Sequence, residues 1–311
     1  MLLDRIQRKL RVPSKVRMLC GATVVADNRL AAWRRVSAFR WYELETDLFL
    51  KAFLRRGDNV ADVGAHEGVL TVLAAKLVGP SGRVHAFEPS ASLRSVVDRV
   101  AELNELSNVV TNDCAISDSN GFVHFTSSGA GYAKQCAEGG EHRIRSTTLD
   151  SYCDAHGIAG FDLIKVDVDG PELLALKGAE RLLESDRAPA LVIEVSNETR
   201  RLGYAPGDIL DHVQSHGYEV FGARMKFPHA LPIEKLDDFH RLPVDLEKGE
   251  VANIFCLKRD LHFSRLFDRI WPEELLPESY GKHFCSSSSP YESPSEFWSS
   301  YQRELFRKLS P

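Results

Sequence analysis

Two short stretches of this sequence set acids where a strand must turn into a helix: VADVGAHEG, residues 60–68, and LIKVDVDGPE, residues 163–172. In the first, Gly64 and Gly68 enclose Ala65, His66 and Glu67, two residues after Asp62. Such a turn cradles a pyrophosphate when it reads G-x-G-x-x-G, where the second glycine admits the phosphates and the third lets the helix pack closely. With Gly64 first, His66 and Val69 occupy those two positions. Asp62 also sets a carboxylate where two phosphates would lie. The turn suits a ligand that is positively charged and free of phosphate.

S-adenosylmethionine answers that description, with an ammonium, a carboxylate and a sulfonium beside a ribose. Backbone N–H groups at Gly64, at a helix N-terminus, would receive the carboxylate. Asp62 would address the ammonium. Glu88 ends the next strand, RVHAFE, and is placed to accept both ribose hydroxyls, much as an acid about 20 residues beyond the turn does in dinucleotide folds. The plainer reading of Glu88 is a solvated strand-end carboxylate.

The second stretch gathers Asp167, Asp169 and Glu172, and Glu194 ends the strand after it. Ligands of open α/β sheets bind beyond the carboxyl ends of the strands. Four acids on one edge repel one another unless a cation or a shared proton sits among them. A sulfonium is one such cation and a divalent metal is another; Asp167 and Glu194 offer the hard oxygens that Mg²⁺ takes, although no spacing demands a metal. Methyl transfer from sulfur is an in-line displacement, for which orientation contributes on the order of 7–11 kcal/mol. A positioned base adds about 10²–10⁴ in rate for a hydroxyl acceptor. Asp167 or Asp169 is the expected base or acceptor-positioning group, with Glu172 in support and Glu194 as a further positioning group. The alternative for Asp169 and Glu172 is plain charge at a helix N-terminus. His85, His124 and His142 lie near strands and are either further bases or packing residues.

These acids need a scaffold, and the hydrophobic pattern supplies one. LETDLFLKAFLRR reads as a helix ending at Gly57, followed by a strand over residues 59–63 and a helix over 68–78. RVHAFE, NVVTND, FDLIKVDVDG, PALVIEV, YEVFG and ANIFCLK read as further strands. Helices lie between most of them: one capped by Ser90, one from Pro171 to about residue 183, and PGDILDHVQSHG. GFVHF and HRIRSTTLD are strands around a glycine-rich loop, residues 126–140, long enough to gate a substrate. Alternating strands and helices predict an α/β fold: a seven-stranded, mostly parallel sheet with helices on both faces and an antiparallel edge strand where YEVFG and ANIFCLK meet. Residues 221–244, rich in aromatic, proline and basic residues, are expected to shape an acceptor pocket.

DVGAHEGVLTVLAA, VHAFEPS, STTLDSY, IKVDVDGPELLALKGA and LVIEVSN, in this order and spacing, resemble the FkbM family of S-adenosylmethionine-dependent methyltransferases over roughly residues 41–258. The resemblance implies a class I methyltransferase (Rossmann-like) fold and O-methylation of hydroxyls on sugars, glycolipids or polyketide-like molecules. It implies that Asp62, Gly64, Ala65 and Gly68 hold the methionine part. Glu88, with Pro89 and Ser90, would hold the ribose, and Asp113, Cys114 and Ala115 would line the adenine. Glu43 matches an acid often found ahead of the first strand, and Asp167 adjoins the cofactor. His66 stands where the family commonly has Asn and keeps a hydrogen-bonding group there. Two other classes remain as alternatives: a catalytically silent cofactor-binding scaffold and an NAD-dependent oxidoreductase.

Outside this region the sequence changes character. Residues 1–40 hold ten Lys/Arg against two acids. LLDRIQRKLRV reads as a basic amphipathic helix, either packed on the main domain or resting on an anionic membrane. Residues 261–311 read as a C-terminal extension with a low-complexity linker, CSSSSPYESPSE, and a last helix that packs on residues 41–260 or on a second copy in a homodimer. The net charge of −5 speaks against nucleic acid as partner. The six cysteines are scattered with no metal or disulfide spacing, no apolar run spans a membrane, and the N-terminus is charged where a signal peptide is apolar. A cytoplasmic protein is expected.

Overall fold

The computed structural model of the chain describes residues 16–18, 21–24, 42–127, 133–136, 140, 142–223, 230–232 and 252–267. Parallel strands β3 (Asn59–Val63), β4 (Arg83–Phe87), β5 (Val109–Asn112), β10 (Leu163–Val166) and β11 (Ala190–Val195) form the centre of the main sheet. Three more strands complete it: β12 (Glu219–Ala223), β13 (Ala230–Pro232) and β14 (Ala252–Leu257). Among the described residues the order is β13-β12-β14-β11-β10-β3-β4-β5. The seven expected strands are all present, with β13 added at the edge. The antiparallel strand is placed differently from expectation: β14 is not the edge but lies between β11 and β12, antiparallel to both. Its alternate residues are buried against both helical layers, as an interior strand requires.

Period-2 alternation decides what each face carries. Val60, Leu163, Val192, Phe255 and Leu257 pack with α1 (Leu44–Phe53) and α2 (Val69–Val78). Ala61, Val63, Ile164, Val166, Leu191 and Ile193 pack on the other face. That face is covered by α4 (Leu149–His156), α5 (Glu172–Lys177), α6 (Glu180–Glu184) and α7 (Pro206–Ser215). α3 (Ala91–Leu103) is capped by Ser90, whose hydroxyl accepts from the Leu93 amide.

A second sheet, β6 (Ala115–Ile116), β9 (His142–Thr147), β7 (Gly121–Ser127) and β8 (Ala133–Cys136), leads off the end of β5. β8 lies within the glycine-rich loop and pairs with β7; residues 128–132 fall outside the described residues. The expected amphipathic helix near residue 2, most of the acceptor loop and the C-terminal linker and helix also fall outside them. Within the N-terminal region, β1 (Val16–Arg17) and β2 (Thr23–Val24) form a hairpin. Val16, Met18 and Val24 pack on Val69, Val72 and Val100 of α2 and α3. Beyond β14, helix α8 (Arg259–Phe267) runs across the boundary expected at residue 260. His262 is buried there, its ring nitrogens on the Lys258 amide and the Ala188 carbonyl. A polar residue fixed by two backbone groups leaves no apolar periodicity to read.

The helix expected from Pro171 to residue 183 is broken into α5 and α6 at Gly178. A Cβ on Gly178 would lie 2.0 Å from the Ser117 carbonyl oxygen, so the chain passes where only glycine fits. Gly178→Ala is expected to destabilise the fold by about 1–3 kcal/mol through overpacking. Urea unfolding of the variant measures it, and an unchanged midpoint would disprove the close approach.

Candidate functional site

A cavity of about 540 Å³ opens at the carboxyl ends of β3, β4, β10 and β11. Its wall includes Gly64, Ala65, His66 and Glu67 of the first turn, and Glu88, Pro89 and Ser90 beyond β4. Cys114, Ala115 and Ile116 continue it, and Lys165, Asp167, Asp169 and Glu194 close the acidic end. Phe125, His142 and Ile144 from the second sheet form part of the wall, with Tyr42 ahead of α1.

The register explains how the acidic end is assembled. Lys165 is paired with Asp62 across β10 and β3, and Glu194 with Asn253 across β11 and β14. These residues share the sheet face that α1 and α2 cover, one step beyond its apolar positions. Lys165 Nζ lies 3.0 Å from Asp167 Oδ2 and 3.5 Å from Asp62 Oδ1. Asp62 Oδ2 accepts from the Thr71 hydroxyl of α2. Glu43, the residue before α1, accepts from Asn253 Nδ2 at 3.2 Å. Burial opposes the Lys165 charge, yet Asp167, Asp62 and Glu43 outweigh it and hold the ammonium well above the ordinary lysine range. Burial and then the Asp167 charge push the Glu43 carboxyl up. Burial also raises Glu194 strongly, with Asp167, Glu43 and Asp169 adding to it. One ammonium among this many carboxylates leaves an excess of negative charge, relieved by protons or by a cationic ligand.

The first turn is tighter than its sequence implies. Gly64 has φ +83°, and a Cβ there would stand 1.8 Å from the Asp167 carbonyl oxygen, so β3 and β10 exit almost in contact. The amides of Gly64 and Ala65 both donate to the Phe87 carbonyl, and the Gly68 amide donates to the Ala65 carbonyl. Those amides, expected to receive a ligand carboxylate, are engaged within the turn. The His66 amide donates to Glu88 Oε2 at 2.9 Å and the Ser90 amide to Glu88 Oε1 at 2.8 Å. Glu88 thus ties the first turn to the second, and burial pushes its carboxyl up to about 7 against those two hydrogen bonds. His66 adopts φ +52°, a left-handed conformation that His, like Asn, tolerates better than most residues. Burial lowers its imidazole pKa.

Several expected site residues lie apart from the cavity wall. Asp62 sits beneath it, held by Lys165 and Thr71. Gly68 lies 3.0 Å, at its would-be Cβ, from Val97 and serves the close packing of α2 on α3. Asp113 is exposed and paired with Arg145. Glu172 is fully buried, and its Oε1 accepts from the amides of Val168 and Gly170. It holds the Asp167–Gly170 turn in shape, and burial pushes its carboxyl up to about 7. His142 reaches the wall, while His85, in the middle of β4, lies in a separate cleft beside the Tyr152 hydroxyl. Lys165 went unnoticed in the sequence because a lysine inside LIKV reads as one polar residue of an alternating strand. Its only signal was an inward-facing position flanked by acids.

As to a metal, Asp167 and Glu194 join no third His, Cys, Asp or Glu in a ligand-spaced group among the described residues. Lys165 already places a cation beside Asp167.

The model of the FkbM methyltransferase domain matches residues 62–220. No curated protein matches the chain. Among similar solved structures, a methyltransferase FkbM from Methylobacillus flagellatus is 14% identical, covering 82% of this chain and 58% of its own, at TM-score 0.43. The chain thus spans little more than half of that relative. An rRNA methylase from Streptococcus thermophilus is 12% identical over 69% of this chain and 94% of its own, at TM-score 0.42. Aeropyrum pernix fibrillarin with natively bound S-adenosyl-L-methionine is 13% identical over 69% and 77%, at TM-score 0.38.

Glu172 gives a test of the buried acids that needs no ligand. A carboxyl raised in the folded state binds its proton more tightly than the unfolded chain does, so stability is fully present below about pH 4.5 and is lost as pH rises through about 7. Glu172→Gln keeps an acceptor for both amides and removes the charge. Its unfolding free energy is expected to fall less than that of the unsubstituted protein between pH 5 and 8, by on the order of 2 kcal/mol. Parallel pH curves in denaturant titrations would contradict this.

Proposed function

The chain belongs to the FkbM methyltransferase family, and from that premise we propose that it methylates a hydroxyl of a small molecule, a sugar, glycolipid or polyketide-like acceptor. It is an S-adenosylmethionine-dependent methyltransferase with a class I fold. The dinucleotide oxidoreductase alternative falls with that membership. The cavity suits the cofactor by size, since small-molecule sites span roughly 300–1,000 Å³. Glu88 would hold the ribose, and Cys114, Ala115 and Ile116 with Leu93 and Phe87 would offer the adenine an apolar slot. Bound S-adenosylmethionine supplies an electrophilic methyl group on a cationic sulfur.

The observation that carries the acceptor reading is the acidic end of the cavity. Asp167 keeps Oδ2 on Lys165, and its Oδ1 has no hydrogen bond among the described residues. Asp167 is the base: Oδ1 takes the hydroxyl proton while Lys165 fixes the carboxylate's orientation. Glu194, raised by burial and neighbouring acids, holds a proton and donates a hydrogen bond to a second acceptor oxygen. Asp169 stands at the mouth of the same wall. An acceptor with adjacent hydroxyls meets both a proton acceptor and a donor here. No helix among the described residues is long and apolar enough to cross a membrane. The net charge describes the whole surface and leaves nucleic acid among the acceptors to be tried.

The test is transfer of labelled methyl from S-adenosylmethionine into fractionated sugars, glycolipids, polyketide-like molecules and RNA. Label in the hydroxylic small-molecule fractions is expected; label confined to RNA or protein overturns the acceptor class. Asp167→Asn should keep affinity for S-adenosylhomocysteine within a few-fold and lower kcat by about 10²–10⁴. Full turnover by this variant would remove Asp167 from the chemistry.

Glu88 makes a separate prediction. Ribose hydroxyls donate to the ionised carboxylate, so binding must expel the proton that burial favours below about pH 7. Affinity for S-adenosylhomocysteine should tighten as pH rises from 6 to 8, approaching tenfold per unit at the acid end. Calorimetry should show this slope in the unsubstituted protein and a weaker, flatter profile in Glu88→Gln. A flat profile in both would disconnect Glu88 from the ribose.

A further inference from the structure

On the helical face formed by α6 and α7, outside the cavity wall, α7 carries His212, the C-cap His216 follows one turn on, and α6 begins with Glu180. The ligand atoms of these three side chains all lie within 4.8 Å of one another. His216 Nε2 is 2.8 Å from Glu180 Oε2, and His212 Nε2 is 3.7 Å from Glu180 Oε1. The two histidine side chains are only about a tenth exposed, at 10% and 11%, so solvent does little for them.

The tautomers decide what this cluster is. His216 Nδ1 lies 2.8 Å from the His212 backbone carbonyl, which can only accept, so Nδ1 carries the hydrogen. In the neutral ring Nε2 then bears a lone pair, and it faces a carboxylate oxygen. His212 Nε2 is buried with no hydrogen-bond partner. Both Nε2 atoms thus face one carboxylate, and the His216 ring is oriented by a backbone carbonyl behind it. A proton shared between His216 and Glu180 satisfies that pair but leaves His212 Nε2 orphaned. A single metal cation satisfies all three.

We propose that Glu180, His212 and His216 bind one divalent transition-metal ion, zinc above all, that clasps α6 to α7. Two imidazole nitrogens and one carboxylate are a known zinc donor set, and a carbonyl-anchored Nδ1–H, as on His216, is the usual outer support of such a ligand. Tetrahedral zinc with bonds near 2.0–2.1 Å sets its ligand atoms about 3.3 Å apart, and one ligand atom from each residue here lies within 4.8 Å of the others, a separation that small side-chain shifts close. Imidazole donors disfavour Mg²⁺ and Ca²⁺, which take oxygen. Glu180 is half exposed, at 47%, which gives the ion a route in and room for a water as fourth ligand. The site is independent of the acceptor reading.

The test uses the full chain without an affinity tag, stripped with a chelator and titrated with Zn²⁺, Co²⁺ and Mg²⁺ in turn. One Zn²⁺ per chain is expected by calorimetry, with a rise in Tm of several degrees at saturation. Co²⁺ should develop the visible absorption of a low-coordinate nitrogen–oxygen site, and Mg²⁺ should do neither. His212→Ala, His216→Ala and Glu180→Gln should each weaken Zn²⁺ by at least tenfold. Far-ultraviolet dichroism of the metal-free variants reports folding, and Glu180→Gln, on an exposed side chain, keeps the test decisive should a histidine variant unfold. No stoichiometric Zn²⁺ in the unsubstituted chain, or undiminished binding in any folded variant, overturns the proposal.

Discussion

The Lys165 ammonium is the charge on which the cavity depends. It occupies a strand position that would otherwise be apolar, between Asp62 on one neighbouring strand and Asp167 at the end of its own. Breaking a buried ion pair by removing one partner typically costs about 3–5 kcal/mol, because the remaining charges stay behind. Here it would leave Asp62 and Asp167 facing Glu43 and Glu194 without a counter-charge. The ammonium allows these acids to be packed together while still leaving them in excess. A preorganised negative field of this kind is costly in the empty protein and favourable once a cationic ligand arrives. That is the electrostatic character a sulfonium cofactor requires, and it opposes binding of a diphosphate.

Backbone strain is concentrated at the same place. Four described non-glycine residues have positive φ: Glu43, His66, Asp169 and Glu105. His66 and Asp169 line the cavity, Glu43 lies behind its acidic end beside Asn253, and Glu105 belongs to an ordinary helix end. Each such conformation costs of order 1–3 kcal/mol and persists where its surroundings over-determine it. The surroundings are identifiable. Glu88 fixes the His66 amide, Glu172 fixes the Gly170 amide beyond Asp169, and Asn253 holds Glu43. Glu88 and Glu172 therefore serve as struts between turns as well as acids, which is why burial can raise both without moving them.

Much of the fold could be read from the chain because the strands are short apolar runs ending in acids or turn residues. β3 begins and ends at the residues that the pattern indicates. Turn Gly64–Gly68, the Ser90 cap and the place of Glu88 at the end of β4 were readable for the same local reason. What escaped reading depends on contacts between distant segments. Lys165 becomes a floor residue only when β3 places Asp62 opposite it. Gly178 ends α5 because Ser117, sixty-one residues earlier, passes close by. Asp113 looked like an adenine-side acid, yet Arg145 of β9 draws it outward. Glu172 looked catalytic by its company, and its amide partners turn it inward. The engagement of the Gly64 and Ala65 amides by Phe87 follows from β4 lying alongside, which no local spacing encodes.

The acidic end is also braced from behind. Tyr204 donates its hydroxyl to the Gly170 carbonyl, and Arg201 Nη2 donates to the Asp169 carbonyl at 2.9 Å. Both come from the segment that follows β11, the strand that carries Glu194. The turn bearing Asp167 and Asp169 and the strand bearing Glu194 are thereby cross-linked, and their carboxylates keep a fixed spacing. The opposite wall has a different origin: Phe125, His142 and Ile144 belong to the second sheet, joined to the main one through the chain after β5. A rigid acidic edge suits a step common to all acceptors, which on the proposed reading is removal of a hydroxyl proton. An aromatic and imidazole wall from a separate sheet suits the part that differs between acceptors. On the proposed reading, acceptor choice lies with β7 and β9, and proton removal with the β10 and β11 ends.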